Sequence, residues 1–82
     1  KEDKSNIQTV SIYPNPATDY ITIDKNTNIV SYQIYDMLGR NFTTQTNIIQ
    51  NNIDISLLPK GYYILQIQDV KQNFHQTKFI KQ

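Results

Sequence analysis

The sequence has no cysteine and no tryptophan, two glycines, and one each of alanine, histidine and methionine. Without cysteine there is no disulfide framework, no thiolate nucleophile and no cysteine-ligated zinc. Glycine at only 39 and 61 excludes the glycine-rich loops that cradle phosphates. A single alanine, at 17, argues against a helical protein, because alanine is the strongest helix former. Charge of either sign is scarce and nearly balanced, with a net of +1. That excludes the electrostatic footprint of a nucleic-acid or membrane-surface binder. The longest apolar run is four residues, Tyr62 to Leu65, which is too short for direct membrane insertion. There is neither an initiator methionine nor a signal-peptide pattern, so the chain reads as a piece of a longer precursor.

What fills these gaps is amide and isoleucine. Nine Asn and nine Gln take the place of charge, and thirteen Ile with six Tyr supply most of the apolar content. Ile, Tyr and Thr suit pleated, half-buried strands. The 82 residues allow one small domain with a compact core.

Periodicity along the chain is that of strands. Residues 1–6 are charged and polar without period and read as a linker from an upstream cargo, leaving 7–82 as the domain. Residues 8–13 alternate, with Val10 and Ile12 on one face. Tyr13-Pro14-Asn15-Pro16 stops the strand and makes a stiff, non-helical crossing between sheets, because each proline forces extended geometry on its predecessor. Ile21 and Ile23 mark the next strand, and residues 26–28 a turn. Val30, Tyr32 and Ile34 then share a face. Asp36-Met37-Leu38-Gly39-Arg40 reads as a tight hairpin, with Gly39 free to take a left-handed conformation. Residues 41–46 are expected to return as an edge strand anchored by Phe42. Ile48 and Ile49 form a short apolar patch, Asn51-Asn52 a turn, and Ile53 and Ile55 another alternating pair. Leu57-Leu58-Pro59-Lys60-Gly61 has the composition of a type I turn. It leads into a strand carrying Tyr63, Leu65 and Ile67. The last strand, 74–81, has Thr77 and Phe79 inward, and lysines at 71, 78 and 81 make the C-terminal segment basic, which reads as protection for an edge. About seven short strands and no helical stretch predict an all-β, immunoglobulin-like antiparallel sandwich.

Catalytic chemistry has little to stand on. His75, the one histidine, has no nucleophile elbow near it and reads as a surface residue beside the last turn. The carboxylates fall mostly at turns, where Asp has a structural role, and lack calcium-loop spacing. No catalytic, cofactor-binding or metal-binding residue is expected. The tyrosines allow a carbohydrate-binding reading: Tyr32 and Tyr63 belong to the core by alternation, while Tyr13, Tyr20, Tyr35 and Tyr62 remain for a sugar face.

Three blocks in order carry a family resemblance. They are Val10-Ser11-Ile12-Tyr13-Pro14-Asn15-Pro16-Ala17, then Tyr32-Gln33-Ile34-Tyr35-Asp36-Met37-Leu38-Gly39-Arg40, then Ile53-Asp54-Ile55-Ser56-Leu57-Leu58-Pro59-Lys60-Gly61-Tyr62-Tyr63-Ile64-Leu65. Lys78-Phe79-Ile80-Lys81 closes the chain. Together they resemble the type A C-terminal sorting domain of the type IX (Por) secretion system of Bacteroidetes. The resemblance implies an immunoglobulin-like fold and a secretion signal at the end of a larger cargo. The precursor would pass through the periplasm, meet translocon, shuttle and sortase proteins of the outer membrane, and end at the cell surface or outside. The domain would commonly be cleaved, with the cut in or before residues 1–6, where no fold signal protects the backbone. Tyr13, Pro14, Asn15, Pro16, Asp36, Gly39, Arg40, Gly61 and Tyr63 then have structural roles. Translocon recognition falls to Lys78, Phe79, Ile80 and Lys81, by charge and by strand addition at an open edge. Family members often end on a basic residue, whereas this chain ends Lys81-Gln82. The competing reading is an immunoglobulin-like accessory module that binds carbohydrate or matrix.

Overall fold

The computed structural model describes residues 7–24, 28–49 and 51–82. The linker expected at 1–6 and most of the turn expected at 26–28 lie outside them. Eight strands run in chain order: β1 (Ile7–Thr9), β2 (Ile12–Tyr13), β3 (Tyr20–Ile23), β4 (Ile29–Asp36), β5 (Asn47–Ile49), β6 (Asn52–Asp54), β7 (Gly61–Asp69) and β8 (Phe74–Lys81). They form two four-stranded sheets, ordered β1-β8-β7-β4 and β2-β3-β6-β5. The second order, with β8-β7-β4 opposite, is the strand arrangement of an immunoglobulin-like sandwich.

The strand expected at 8–13 is split between the two sheets. β1 pairs with β8 in parallel, whereas the other strand pairs among the described residues are antiparallel, and β2 pairs with β3. The chain changes sheets at Val10 and Ser11, where Val10 is buried and the Ser11 carbonyl accepts from the Asp24 N–H. The two halves account for eight segments in a seven-stranded plan.

Alternation correctly identifies most of the core. Ile21, Ile23, Ile34, Ile53, Ile55, Leu65, Ile67 and Phe79 are all fully buried between the sheets. Each such side chain contributes on the order of 2 kcal/mol of burial free energy. Two departures have local causes. A bulge between Ile29 and Ser31 shifts the pleat, so Ile29 packs on the core and Val30 faces solvent. The strand expected at 41–46 does not form; residues Thr43–Gln45 make a 3-10 turn instead. There the Asn41 side chain accepts from the Thr43 N–H and Thr43 Oγ1 accepts from the Ile34 N–H. Side-chain oxygens thus replace a strand ladder. The chain then crosses to the other sheet as β5.

Candidate functional site

The quoted motif blocks are far apart in sequence and meet at one end of the sandwich. Asp36, at the end of β4, pairs with Tyr63 in β7, and Gly61 pairs with Lys81 in β8. Ala17 bridges to Lys81 from the other side.

The turn after β4 is built by its own side chains. Asp36 Oδ1 accepts from the N–H groups of Leu38 and Arg40 at 2.9 Å each, and Oδ2 accepts from Arg40 Nε at 2.6 Å. Burial pushes the Asp36 carboxyl up. The Arg40 and Leu38 donors outweigh it and hold the group below its ordinary value. Gly39 sits at φ +84°, the left-handed conformation expected of it. The Arg40 guanidinium also lies 5.9 Å from the Phe42 ring centroid.

The next corner is held by Tyr63. Its hydroxyl donates to the Pro59 carbonyl at 2.6 Å, four residues upstream, as in the tyrosine corner of immunoglobulin-like sandwiches. Its ring stacks on Phe79 and meets Phe42 edge-on. Burial pushes the phenol's pKa up, and the Asp36 charge adds to that. The hydrogen-bonded turn lies three residues earlier than expected, with the Leu58 N–H donating to the Ile55 carbonyl.

Sequence reasoning missed the function of Asn15. Its amide Nδ2 donates to the Lys78 carbonyl, and its Oδ1 accepts from the Ile80 N–H. One residue pair on, the Ala17 N–H donates to the Ile80 carbonyl and the Gln82 N–H to the Ala17 carbonyl. The Tyr-Pro-Asn-Pro segment therefore occupies the side of β8 that was expected to be an open edge, and β1 covers the rest. The only local signal was Asn between two prolines: a side chain able to imitate a peptide group where the backbone donors are missing.

The four residues Lys78, Phe79, Ile80 and Lys81 divide between two faces. Phe79 is in the core. Lys81 is buried too, its ammonium donating to the Leu58 carbonyl at 3.0 Å. Lys78 is exposed and Ile80 half-buried, on the outer face. There Ile80 pairs with Tyr62, and Lys78 with Ile64, which pairs in turn with Tyr35. The period of two could have found this: with Phe79 inward, Lys81 and His75 must face inward as well. His75 is accordingly buried rather than on the surface, and its Nε2 lies 2.9 Å from Asp69 Oδ2. That contact, with the Asn73 and Lys71 amide donors, lowers Asp69 from 3.8 to about 2 against the effect of burial.

Two clefts bear on binding. One of about 260 Å³ at the motif end is lined by Met37, Leu38, Arg40, Lys60 and Tyr62 among others. The other, about 760 Å³, lies between Tyr32 of β4 and Tyr20, Asn52 and Asp54 of the second sheet. The Tyr32 hydroxyl is engaged there with Thr46 Oγ1. Among the described residues no three His, Asp or Glu side chains gather as a metal site would require.

Comparison with known proteins gives matches over most of the chain. The family model described as the secretion system C-terminal sorting domain matches residues 11–82. Beta-agarase D of Zobellia galactanivorans is 36% identical over 58 residues, covering 71% of this chain and 12% of the agarase. An endo-acting ulvan lyase of Formosa agariphila is 35% identical over 77 residues, covering 87% of this chain and 14% of the lyase. The chain thus spans only a small part of either relative's length. No solved structure matches it.

Proposed function

Because this chain belongs to the family of secretion-system C-terminal sorting domains, we propose that it directs a larger upstream protein through the type IX translocon as a folded, non-catalytic signal. Shuttle and sortase proteins of the outer membrane are its partners, the periplasm is its transit compartment, and cleavage falls in or before residues 1–6. By the company the two relatives keep, the cargo is an enzyme acting on a polysaccharide. The observation that carries the reading is the convergence of the motif blocks on one end of the sandwich, around the end of β8. A surface assembled from distant segments exists only when the domain is folded, which suits a signal read after folding.

Within that end the reading assigns contact with the translocon to Lys78 and Ile80, which face outward. Phe79 and Lys81 hold the strand that presents them. The test is a reporter carrying an export signal at its N-terminus and residues 1–82 at its C-terminus, in a bacterium with this secretion system. Lys78→Glu with Ile80→Ser is expected to leave the fold intact and the reporter in the periplasm. Secretion equal to the parent's would remove those two residues from the recognition surface. Periplasmic retention of the parent fusion itself would overturn the sorting reading.

A further inference from the structure

We propose that the cleft between the Asp36–Arg40 turn and the Tyr63 corner receives an extended segment of a partner protein that carries apolar side chains and carboxylates. The proposal rests on the sorting reading and deepens it, by giving the partner's contact a second place and a chemistry.

The first support is exposed apolar surface. Met37 is 52% exposed, Leu38 81% and Tyr62 60%, and all three line one cleft. Single exposed apolar residues are ordinary, but a contiguous group around a concavity marks an interaction surface. Nothing in the turn requires Met37 and Leu38 to be apolar. Asp36 and Gly39 supply its geometry, and polar residues would serve at its tip.

The second support is charge. Arg40 and Lys60 line the same cleft, and both are exposed. Asp36, the one carboxylate among the described lining residues, accepts from the Leu38 and Arg40 N–H groups and is paired with Arg40 Nε. That pair balances itself, so Lys60 leaves the rim with one excess positive charge, which favours an acidic visitor. A second copy of this chain would bring the same net positive rim to the contact, which makes it a less favoured occupant than an acidic segment.

The third support is continuity. Tyr62 is the cross-strand neighbour of Ile80, and Ile80 lies two residues from Lys78 on the outer face. A segment seated in the cleft would run onto the two residues assigned to translocon contact.

The test compares four variants of the reporter fusion: Met37→Ser with Leu38→Ser, Lys60→Glu, Lys60→Arg, and Val70→Ser as a control. Val70 is 60% exposed in the turn after β7, at the opposite end of that strand. Thermal melting of each domain confirms that it folds. The Met37/Leu38 pair and Lys60→Glu are expected to lower the secreted fraction about tenfold, the loss of one or two interface anchors. Lys60→Arg and Val70→Ser are expected to match the parent. Secretion at the parent's level from the folded cleft variants would overturn the proposal while leaving the sorting reading in place. So would an equal loss from Val70→Ser. Retention of the parent fusion would instead defeat the sorting reading, and this proposal with it. Two further results would reassign the cleft and overturn the proposal. One is concentration-dependent dimerisation of residues 1–82 that the cleft variants abolish. The other is flotation with anionic phosphatidylglycerol vesicles that they abolish.

Discussion

At the residue scale, short polar side chains build the turns, and His75 and Lys81 are buried. Asp36, Asp54 and Asp69 each accept backbone N–H groups two residues ahead, and each has a lowered pKa. For Asp69 the sign is clear. Its folded value of about 2 lies below 3.8, so its contribution to stability is complete above the ordinary carboxylate range. It is lost as pH falls from about 4 through about 2. Acid denaturation of Asp69→Asn should therefore be flatter than the parent's in that window, and equal slopes would show that Asp69 ionisation contributes nothing to stability. Gly39 gives a second expectation. A Cβ built there would meet nothing within 4 Å, so any cost of substitution comes from the φ of +84°. Gly39→Val should lower stability by more than about 1 kcal/mol, measured as a shift in denaturation midpoint.

At the element scale, β8 is the strand on which the others depend. It carries Phe79 and Lys81 into the interior, pairs along its length with β7, and is closed on its other side by β1 and residues 15–17. Asn15 should matter out of proportion to its exposure. Asn15→Ala removes two hydrogen bonds to β8 and is expected to cost about 1–2 kcal/mol. Asn15→Asp keeps the acceptor for the Ile80 N–H but sets a carboxylate oxygen against the Lys78 carbonyl, and should cost more. Hydrogen exchange at the Ile80 amide reports the change directly; unchanged protection in Asn15→Ala would mean that the side chain does not close this edge.

At the scale of the whole molecule, the last strand is part of the core through Phe79. A chain of this length has a net stability of only about 3–5 kcal/mol, and losing a buried Phe costs about that much. Truncation after Thr77 removes Phe79 and Lys81 together and should leave an unfolded chain by circular dichroism. Failure of such a truncated signal would then report lost folding, which is why outward substitutions at Lys78 and Ile80 are the sharper probe. A cooperative melt in the truncated chain would show that the last five residues are dispensable to the core.

The sequence by itself determined which residues alternate, where the chain turns and which family it resembles. Those properties are local: a period of two, a proline that cannot donate, a glycine that can take positive φ, and motif blocks in order. From them the sandwich, its isoleucine core and the Asp36–Gly39 turn were legible. Tertiary structure alone decided which edge each segment covers. That Asn15 closes β8, that residues 41–46 cross between sheets and that Lys81 finds the Leu58 carbonyl all depend on partners 63, 9 and 23 residues away in the chain. Side-chain amides and hydroxyls can satisfy backbone groups as well as a strand can, and composition does not say which they will choose. The cleft at the motif end follows from the same fact. Its walls come from two turns that meet only because β4 and β7 pair in one register.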